Sequence, residues 1–537
     1  MPAMHPIQRR EWLFPLLLSV FFVAAGTAPY FYGYQSAGAD ESFMGFIGRG
    51  TPGANSYLAF ARQVAEGSHA TTNLYSPHAP SRAYFNPEWW CMGTAARLTG
   101  LPLLFWFHAG RVLSAVAFLL AAYYLCAVFL KGGAARRAAL GLIAFGAGFG
   151  WLLALSNGLL GANLELTNDA RGVTIFGYLM NKPHFIRAGA FAALQYAWLI
   201  RGDRTGKIRY FLLSGLAASG HSLIRPYHIP EACLTLALYF AARTWGDRDA
   251  FRATLGQVGA AALTHAPVIV WQAFVYLKNP LGLGAMDAWP PVLLLALIGW
   301  FGLPLAAILI HLAATVLRGG AAKPHLSLPA LWLAAAALLL HAHPWFPWGV
   351  ESYFPWIFAP PLLFLRHTWP RIAAWSGTPR RRRIAIALLA IASLPTNALV
   401  YTQFYTTLHQ PQEPWRYYLD RDTLGAITWL RENAPDGATV VASHATSQFI
   451  PRFANLRVLT SQDALTPNYR QMNSHILRFY QSPGDSGFKQ WLCSEQGATY
   501  VLAGPEERAL GSVDFERYPW LVPVHTSGAA AVYRVAH

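Results

Sequence analysis

Two acids, Asp40 and Glu41, stand side by side in "QSAGADESFMGF", just beyond an apolar stretch long enough to cross a bilayer. A carboxylate there can act as a general base toward an acceptor hydroxyl or amine, or hold a divalent ion near a phosphate; the plain alternative is a solvated loop. The cations lie in two motifs. "NKPHFIRAG" holds Lys182, His184 and Arg187, and "HSLIRPYHIPE" holds His221, Arg225, Tyr227, His228 and Glu231. Lysine offers a point charge and arginine a planar fork, so together they suit a phosphate or pyrophosphate; snorkelling, or bonding to neighbouring helix ends, is the alternative. The HxxxxxxH spacing of His221 and His228 is not that of two metal ligands on a helix. Arg111, in "FWFHAGRVLSAVAFLL", has His108 one turn earlier on the same face. A cation in so apolar a helix must face the protein interior or an aqueous cavity, either at a site or in a structural pair with an acid. "HAHPWFPWGVESYFPW" gathers His341, His343 and Glu351 among tryptophans, as an interfacial belt or as a surface for stacking on a sugar ring.

The composition says what must position these groups. The 537 residues are 54% hydrophobic and 12% charged, a balance foreign to soluble domains, so the chain is expected to be a membrane protein. Its formal charge of +16 is spread between apolar segments rather than gathered on one face, which argues against a nucleic-acid partner. The four cysteines make no disulfide or zinc framework; Cys126 and Cys233 fall in apolar runs, leaving Cys91 and Cys493 as a pair that can meet outside the membrane. Spans are expected near 12–34, 102–130, 138–160, 184–200, 253–276, 288–316, 325–342, 353–366 and 383–402. The run over 208–243 is too long for one crossing and reads as a hairpin broken at Pro226 and Pro230. The fold class is therefore an α-helical polytopic membrane protein with about 11 transmembrane helices.

Arg9/Arg10, Lys131/Arg136/Arg137, Arg201 to Arg209, Arg243 to Arg252, Arg318/Lys323 and Arg380 to Arg383 fall on alternate connections, which places those turns and the amino terminus in the cytoplasm. The acid pair is then outside. So are the first loop, residues 35–101, with "NSYLAFARQVAEG" and "YFNPEWWCMGTAARLTG", and a shorter loop, "NLELTNDARGVTIFGYLMNKPH". The first-loop segments suit interfacial helices with Trp89 and Trp90 at headgroup level. Beyond residue 402 the pattern changes: "TLGAITWLRENAPDGATVVASH" reads as helix, turn and strand, and "RVLTS", "TYVLAGP" and "AAVYRVA" as further strands. The expected domains are 1–402, polytopic, and 403–537, a small extracytoplasmic α/β domain. The latter lacks Gly-rich phosphate-binding patterns.

Together these segments resemble the bacterial membrane glycosyltransferases of the GT-C superfamily, which includes protein O-mannosyltransferases and aminoarabinose transferases. The likeness rests on the first helix followed by an acidic loop, the run "YLAFARQVAEG", and the Trp- and Pro-rich stretch leading into "GLPLLFWFHAGRVL". "KPHF", "RPYHIP" and the carboxy-terminal "AITWLRENAPDGATVVAS" are similar to an uncharacterised bacterial branch. The resemblance implies a helical bundle in the bacterial inner membrane whose outer cavity transfers a sugar from a polyprenyl-phosphate carrier to an extracytoplasmic acceptor. It implies Asp40 or Glu41 as base, and Lys182, His184, Arg187, His221, Arg225, Tyr227, His228 and Arg111 around the donor. Relatives often place the acid just before the "YLA" run, where this chain has Gly53, Ala54 and Asn55, so Asn55 and Tyr57 are expected beside the substrate. No organic cofactor is implied; a divalent cation stays open.

Two readings from other classes use the same residues. A transporter or flippase of lipid-linked saccharide also needs a cationic cavity and broken helices, but it generally carries paired repeats, and no internal repeat stands out here. A non-catalytic, glycan-binding membrane subunit fits the missing acid near Tyr57.

Overall fold

The computed structural model describes residues 6–48, 51–77, 85–152, 155, 175–244, 248–278, 302, 304–310, 328–341, 355–409, 416–461 and 465–536. Most of the expected span over 288–316, most of the second loop, and His343 and Glu351 lie outside the described residues.

The chain begins with helix α1 (Leu13–Gln35), strand β1 (Glu41–Phe43), and helices α2 (Thr51–Ala65), α3 (Pro87–Thr99), α4 (Leu103–Phe129) and α5 (Gly133–Phe145). Helices α6 (Ile175–Asn181), α7 (Pro183–Thr205), α8 (Ile208–Ile224), α9 (Ile229–Thr244), α10 (Arg248–Lys278), α11 (Leu328–His341), α12 (Pro355–Leu363) and α13 (Pro379–Thr406) follow. The remainder holds β2 (Tyr418–Asp420), α14 (Arg421–Asn433), β3 (Thr439–Val441), β4 (Arg457–Val458), α15 (Tyr469–Gln481), α16 (Ser486–Glu495), β5 (Ala498–Ala503), β6 (Leu521–Ser527) and β7 (Ala530–Val535).

The chain is thus mostly helical, and among the described residues four helices are long and apolar enough to span a bilayer: Arg9–Gln35, Leu103–Phe129, Phe251–Val275 and Pro379–His409. Their outer faces carry exposed large apolar side chains, among them Leu17, Val20, Leu255, Leu263, Val270, Leu388 and Ile391. Such surfaces belong in lipid, which makes this a membrane protein.

By contacts the chain divides into two compact units. The first takes Met1–Thr27, Gly110–Gln272 and Ala288–Gln403. The second takes Ala28–Ala109, Ala273–Asp287 and Phe404–His537.

In the first unit α7 and α8 pack along each other, and α9 packs on α11. The break between α8 and α9 is where the sequence puts its prolines. α8 stops at Arg225 (φ −136°, ψ 89°), a 3-10 turn covers Pro226–His228, and α9 follows. Pro226 supplies no N–H and disfavours helical geometry at Arg225, which ends the helix there.

In the second unit five strands form a sheet in the order β4-β3-β5-β7-β6. β4, β3 and β5 are parallel, and β7 and β6 are antiparallel additions. Alternation puts Val440 in the core with Ile427, Leu430 and Phe449, and Val441 in a second core with Ile476, Phe479 and Leu492. The first loop belongs to this fold. Met44, Ala59 and Tyr75 lie in the first of these cores, and Val458 donates its N–H to Leu74 O at 2.9 Å, so a loop segment covers the edge strand β4. β1 pairs antiparallel with β2, setting Glu41 opposite Asp420 and Phe43 opposite Tyr418.

Several expectations are corrected. α2 is buried around most of its circumference, and Trp89 is 3% exposed and stacked on Tyr57 at 4.4 Å, so this indole sits in the protein core rather than at headgroup level. Cys91 and Cys493 are not bonded to each other: Cys493 is buried on α16, whereas Cys91 is on the exposed side of α3.

Candidate functional site

The residues singled out in the sequence fall into two sets, one in each unit. The first unit builds a cationic cluster around Phe185. Lys182 precedes Pro183 at the start of α7, so its backbone is non-helical (φ −123°, ψ 77°), and its side chain turns onto two rings. Its Nζ lies 5.0 Å from the centroid of Tyr178 and 5.0 Å from that of Phe185. Arg225 comes to the same aromatic ring from the proline break, with Cζ 3.5 Å from the Phe185 centroid and 5.8 Å from that of Tyr227. These are cation–π contacts, which hold a cation without neutralising it. His184 is buried with its ring against Phe185 at 4.7 Å, within electrostatic reach of Arg225, Lys182 and Arg187.

Arg187, one turn along α7, donates from Nε to Ser114 Oγ at 3.1 Å and from Nη2 to Gly110 O at 3.2 Å. Arg111 is buried and donates to Thr27 Oγ1 at 3.0 Å and to Met180 O at 3.4 Å. Both arginines thus fasten α4 to the segment that carries Lys182. The sequence offered an acid as the structural partner of Arg111; these two contacts are instead a hydroxyl and a carbonyl.

The proline break places two stacked histidines behind Arg225, the rings of His221 and His228 lying 4.4 Å apart. Arg225 Nε donates to His228 Nε2 at 3.1 Å, and His228 Nδ1 faces Glu231 Oε2 at 3.8 Å. Glu231 is fully buried; its Oε1 accepts from Trp332 Nε1 and from Tyr196 OH at 3.4 Å. Trp332 and Tyr196 were passed over in the sequence, and Glu231, though singled out in the proline-broken run three positions after His228, was given no role there.

The second set lies in the second unit. Asp40 is exposed in the turn before β1, and its carbonyl accepts the N–H of Arg421 at 2.9 Å. Glu41 is half-buried in β1, and its carboxylate accepts the N–H of Gly38 at 3.4 Å. Asn55 is buried, and its Oδ1 accepts from Arg452 Nη1 at 2.9 Å. Tyr57 stacks on Trp89, as described. Sequence reasoning missed Glu88, a buried acid of the first loop at the start of α3, whose N–H is capped by Asn86 Oδ1 at 2.9 Å. Burial pulls the Arg452 guanidinium down to about 10; it rests on the rings of Phe46 and Phe453 at 5.1 and 4.8 Å. At the carboxyl ends of the parallel strands, where α/β folds commonly bind phosphates, Glu507 already accepts the N–H groups of Ser443 at 2.8 Å and Gly504 at 2.9 Å. Among the described residues no group of three His, Cys, Asp or Glu could hold a metal ion.

No protein-family model and no curated protein sequence matches the chain. Solved structures do. The oligosaccharyltransferase of Archaeoglobus fulgidus, tethered with an acceptor peptide, superposes with a TM-score of 0.55 at 14% identity, over 92% of this chain and 69% of that one. ArnT from Cupriavidus metallidurans matches with 0.50 at 13% identity, over 96% and 97%. The arabinofuranosyltransferase AftD from Mycobacteria matches with 0.57 at 18% identity, over 100% of this chain and 40% of that one. The fold is the GT-C fold. At these identities the likeness speaks to architecture, and the chemistry must be argued from the residues above.

Proposed function

We propose that this chain is an integral membrane glycosyltransferase that moves a sugar from a polyprenyl-phosphate donor to an extracytoplasmic acceptor, which is a lipid, a glycan or a protein. The observation that carries the reading is the convergence of Lys182 and Arg225 on one ring, with His184 and Arg187 beside them, inside the helical unit of a GT-C fold. AglB from Archaeoglobus fulgidus, which shares the fold, is solved with a dolichol-phosphate and an inhibitory peptide, which supports a lipid phosphate as the anion.

In this reading the acceptor hydroxyl or amine attacks the anomeric carbon, the bond from that carbon to the phosphate oxygen breaks, and the lipid phosphate leaves with the electron pair. Lys182, Arg187 and Arg225 stabilise the charge that grows on the leaving oxygen, and Arg111 supports the helix contact that carries them. His184, His221, Tyr227 and His228 shape the donor pocket, while Asn55 and Tyr57 fix the helix of the acceptor side. A first-loop carboxylate, Asp40 or Glu41, takes the acceptor proton. About 11 crossings, a cytoplasmic amino terminus and a periplasmic segment from 403 to 537 in the bacterial inner membrane complete the proposal.

The test is sugar transfer by membranes carrying Asp40→Asn, Glu41→Gln and, as a competitor for the role of base, Glu88→Gln. Loss of the base should lower the rate about 10²- to 10⁴-fold. Parental rates in both Asp40→Asn and Glu41→Gln would move the role away from the pair.

A further inference from the structure

Six arginines, Arg366, Arg371 and Arg380 to Arg383, fall in one stretch of the first unit, and no Asp or Glu occurs in the sequence between Glu351 and Glu413. The fold keeps them together. A π-helical turn over Phe364–Thr368 runs into a helix, Trp369–Ser376, which ends at Gly377 (φ 62°, ψ −37°), and α13 starts at Pro379. The positive φ suits glycine, and Thr378 donates its N–H back to Ser376 O at 2.6 Å, so the two helices meet in a tight turn. Across that turn Arg382 Nη2 reaches Ala373 O at 3.5 Å, and Arg371 donates to His367 O; both partners are backbone carbonyls. All six arginines are exposed, and none meets a carboxylate among the described residues. Arg366 faces another cation instead. Arg204, at the end of α7, lies within its electrostatic reach, while the neighbouring Asp203 is paired with Arg243 at 2.8 Å. Like charges gathered without an acid repel one another, and an anion from outside the chain removes that cost.

The surroundings of the arginines say which anion. Directly after Arg383 the same helix turns apolar side chains outward: Ile384, Ile386, Leu388 and Ile391 are exposed on a helix long and apolar enough to cross a bilayer. The arginines therefore stand at the edge of a lipid-facing surface, at the level of the headgroups. Trp375, on the short helix beside them, is 86% exposed, and an indole so placed belongs in the same layer. A guanidinium fork matches a phosphodiester in geometry and charge. A zwitterionic headgroup carries its own cation beside the phosphate, so arginines without acids favour a lipid of net negative charge. We infer that the turn from Arg366 to Arg383 is a docking surface for the phosphodiester headgroups of anionic phospholipid, with the arginines on the phosphates and Trp375 in the headgroup layer. This surface shares no residue with the cluster on Phe185, and it does not depend on the chain being a glycosyltransferase.

The test is a lipid titration of the full-length protein in neutral detergent, read by native mass spectrometry, with dioleoylphosphatidylglycerol as the anionic probe and dioleoylphosphatidylcholine as the zwitterionic one. The parent should bind the first about tenfold or more tightly than the second, and the preference should shrink as salt is raised. Equal affinity for the two overturns the inference before any variant is made. An arginine near an anionic surface adds about fivefold in affinity, so the quadruple variant Arg380→Gln/Arg381→Gln/Arg382→Gln/Arg383→Gln should lose on the order of a hundredfold for phosphatidylglycerol and nothing for phosphatidylcholine. Four exposed arginines of the second unit, Arg431, Arg508, Arg517 and Arg534, changed together to glutamine, control for net charge and should leave both affinities as they are. A loss as large in that control, or no loss in the quadruple variant, contradicts the docking surface. Should the quadruple variant fail to fold, Arg371→Gln/Arg382→Gln decides: a loss on the order of tenfold for phosphatidylglycerol supports the surface, and unchanged affinity overturns it.

Discussion

In the first unit Arg136 meets the carboxylate of Glu11 at 3.1 Å and Arg243 that of Asp203 at 2.8 Å, whereas the buried Arg111 donates to a hydroxyl and a carbonyl. In the second unit Arg452, 8% exposed, has an amide and two aromatic rings, and no carboxylate among the described residues lies within ion-pair distance. The contrast is one of local partners, since the buried Arg62 of the second unit also meets an acid, Glu66. A buried guanidinium beside a carboxylate gains charge–charge attraction, whereas one held by an amide and two rings has hydrogen-bond and cation–π contacts in its place.

The comparison can be broken most forcefully at Arg136. Its side chain is 1% exposed, and Arg136→Met leaves Glu11 without its cation, so unfolding of the full-length protein in detergent should lose about 3–5 kcal/mol. A loss below about 1 kcal/mol would show that pairing is not what permits the charge. Asn55→Asp sharpens the other side by giving Arg452 a carboxylate at an existing contact; we expect a gain of about 1–2 kcal/mol in the same assay. No gain would mean that the amide and the two rings already satisfy Arg452.

The smallest effect concerns an exposed pair. Arg478 beside Asp485, bonded at 3.0 Å through Nε, holds that carboxyl below its ordinary value of 3.8. A lowered folded value stabilises the fold above the unfolded value, and this contribution fades as the pH falls through the folded one. Parent and Asp485→Asn should therefore differ in unfolding midpoint above about pH 4 and converge toward pH 2. A gap that persists undiminished at the acid end would contradict the assignment.

How much of this was legible in the sequence depends on the range of the interaction. Apolar runs announced α1, α4, α10 and α13, because a helix that is hydrophobic all round needs nothing but lipid or other helices around it. Pro226 announced the end of α8, and Pro183 the non-helical backbone of Lys182, both being local steric effects. Strand β6 was missed because Pro523 interrupts "LVPVHTS"; it is an edge strand, and its register shifts between Pro523 and His525. The place of α2 was illegible for a different reason. "NSYLAFARQVAEG" has the polar residues of an interfacial helix, yet Gln63 bonds Thr72 O at 2.9 Å and Arg62 bonds Pro451 O at 3.2 Å, so those side chains are satisfied inside the protein. Nothing local distinguishes a polar group facing water from one matched by a carbonyl 389 positions away. The same holds for Glu231, whose partner Trp332 lies 101 positions along the chain.

The central claim is that the cluster on Phe185 binds the phosphate of a lipid carrier. The direct measurement is a titration of the purified full-length protein with a short-chain polyprenyl phosphate, comparing the parent with the double variant Lys182→Gln/Arg225→Gln. Removing two charge-assisted contacts should weaken binding on the order of a hundredfold or more, with the unchanged neutral polyprenol as control. Equal affinity in parent and variant would contradict the account.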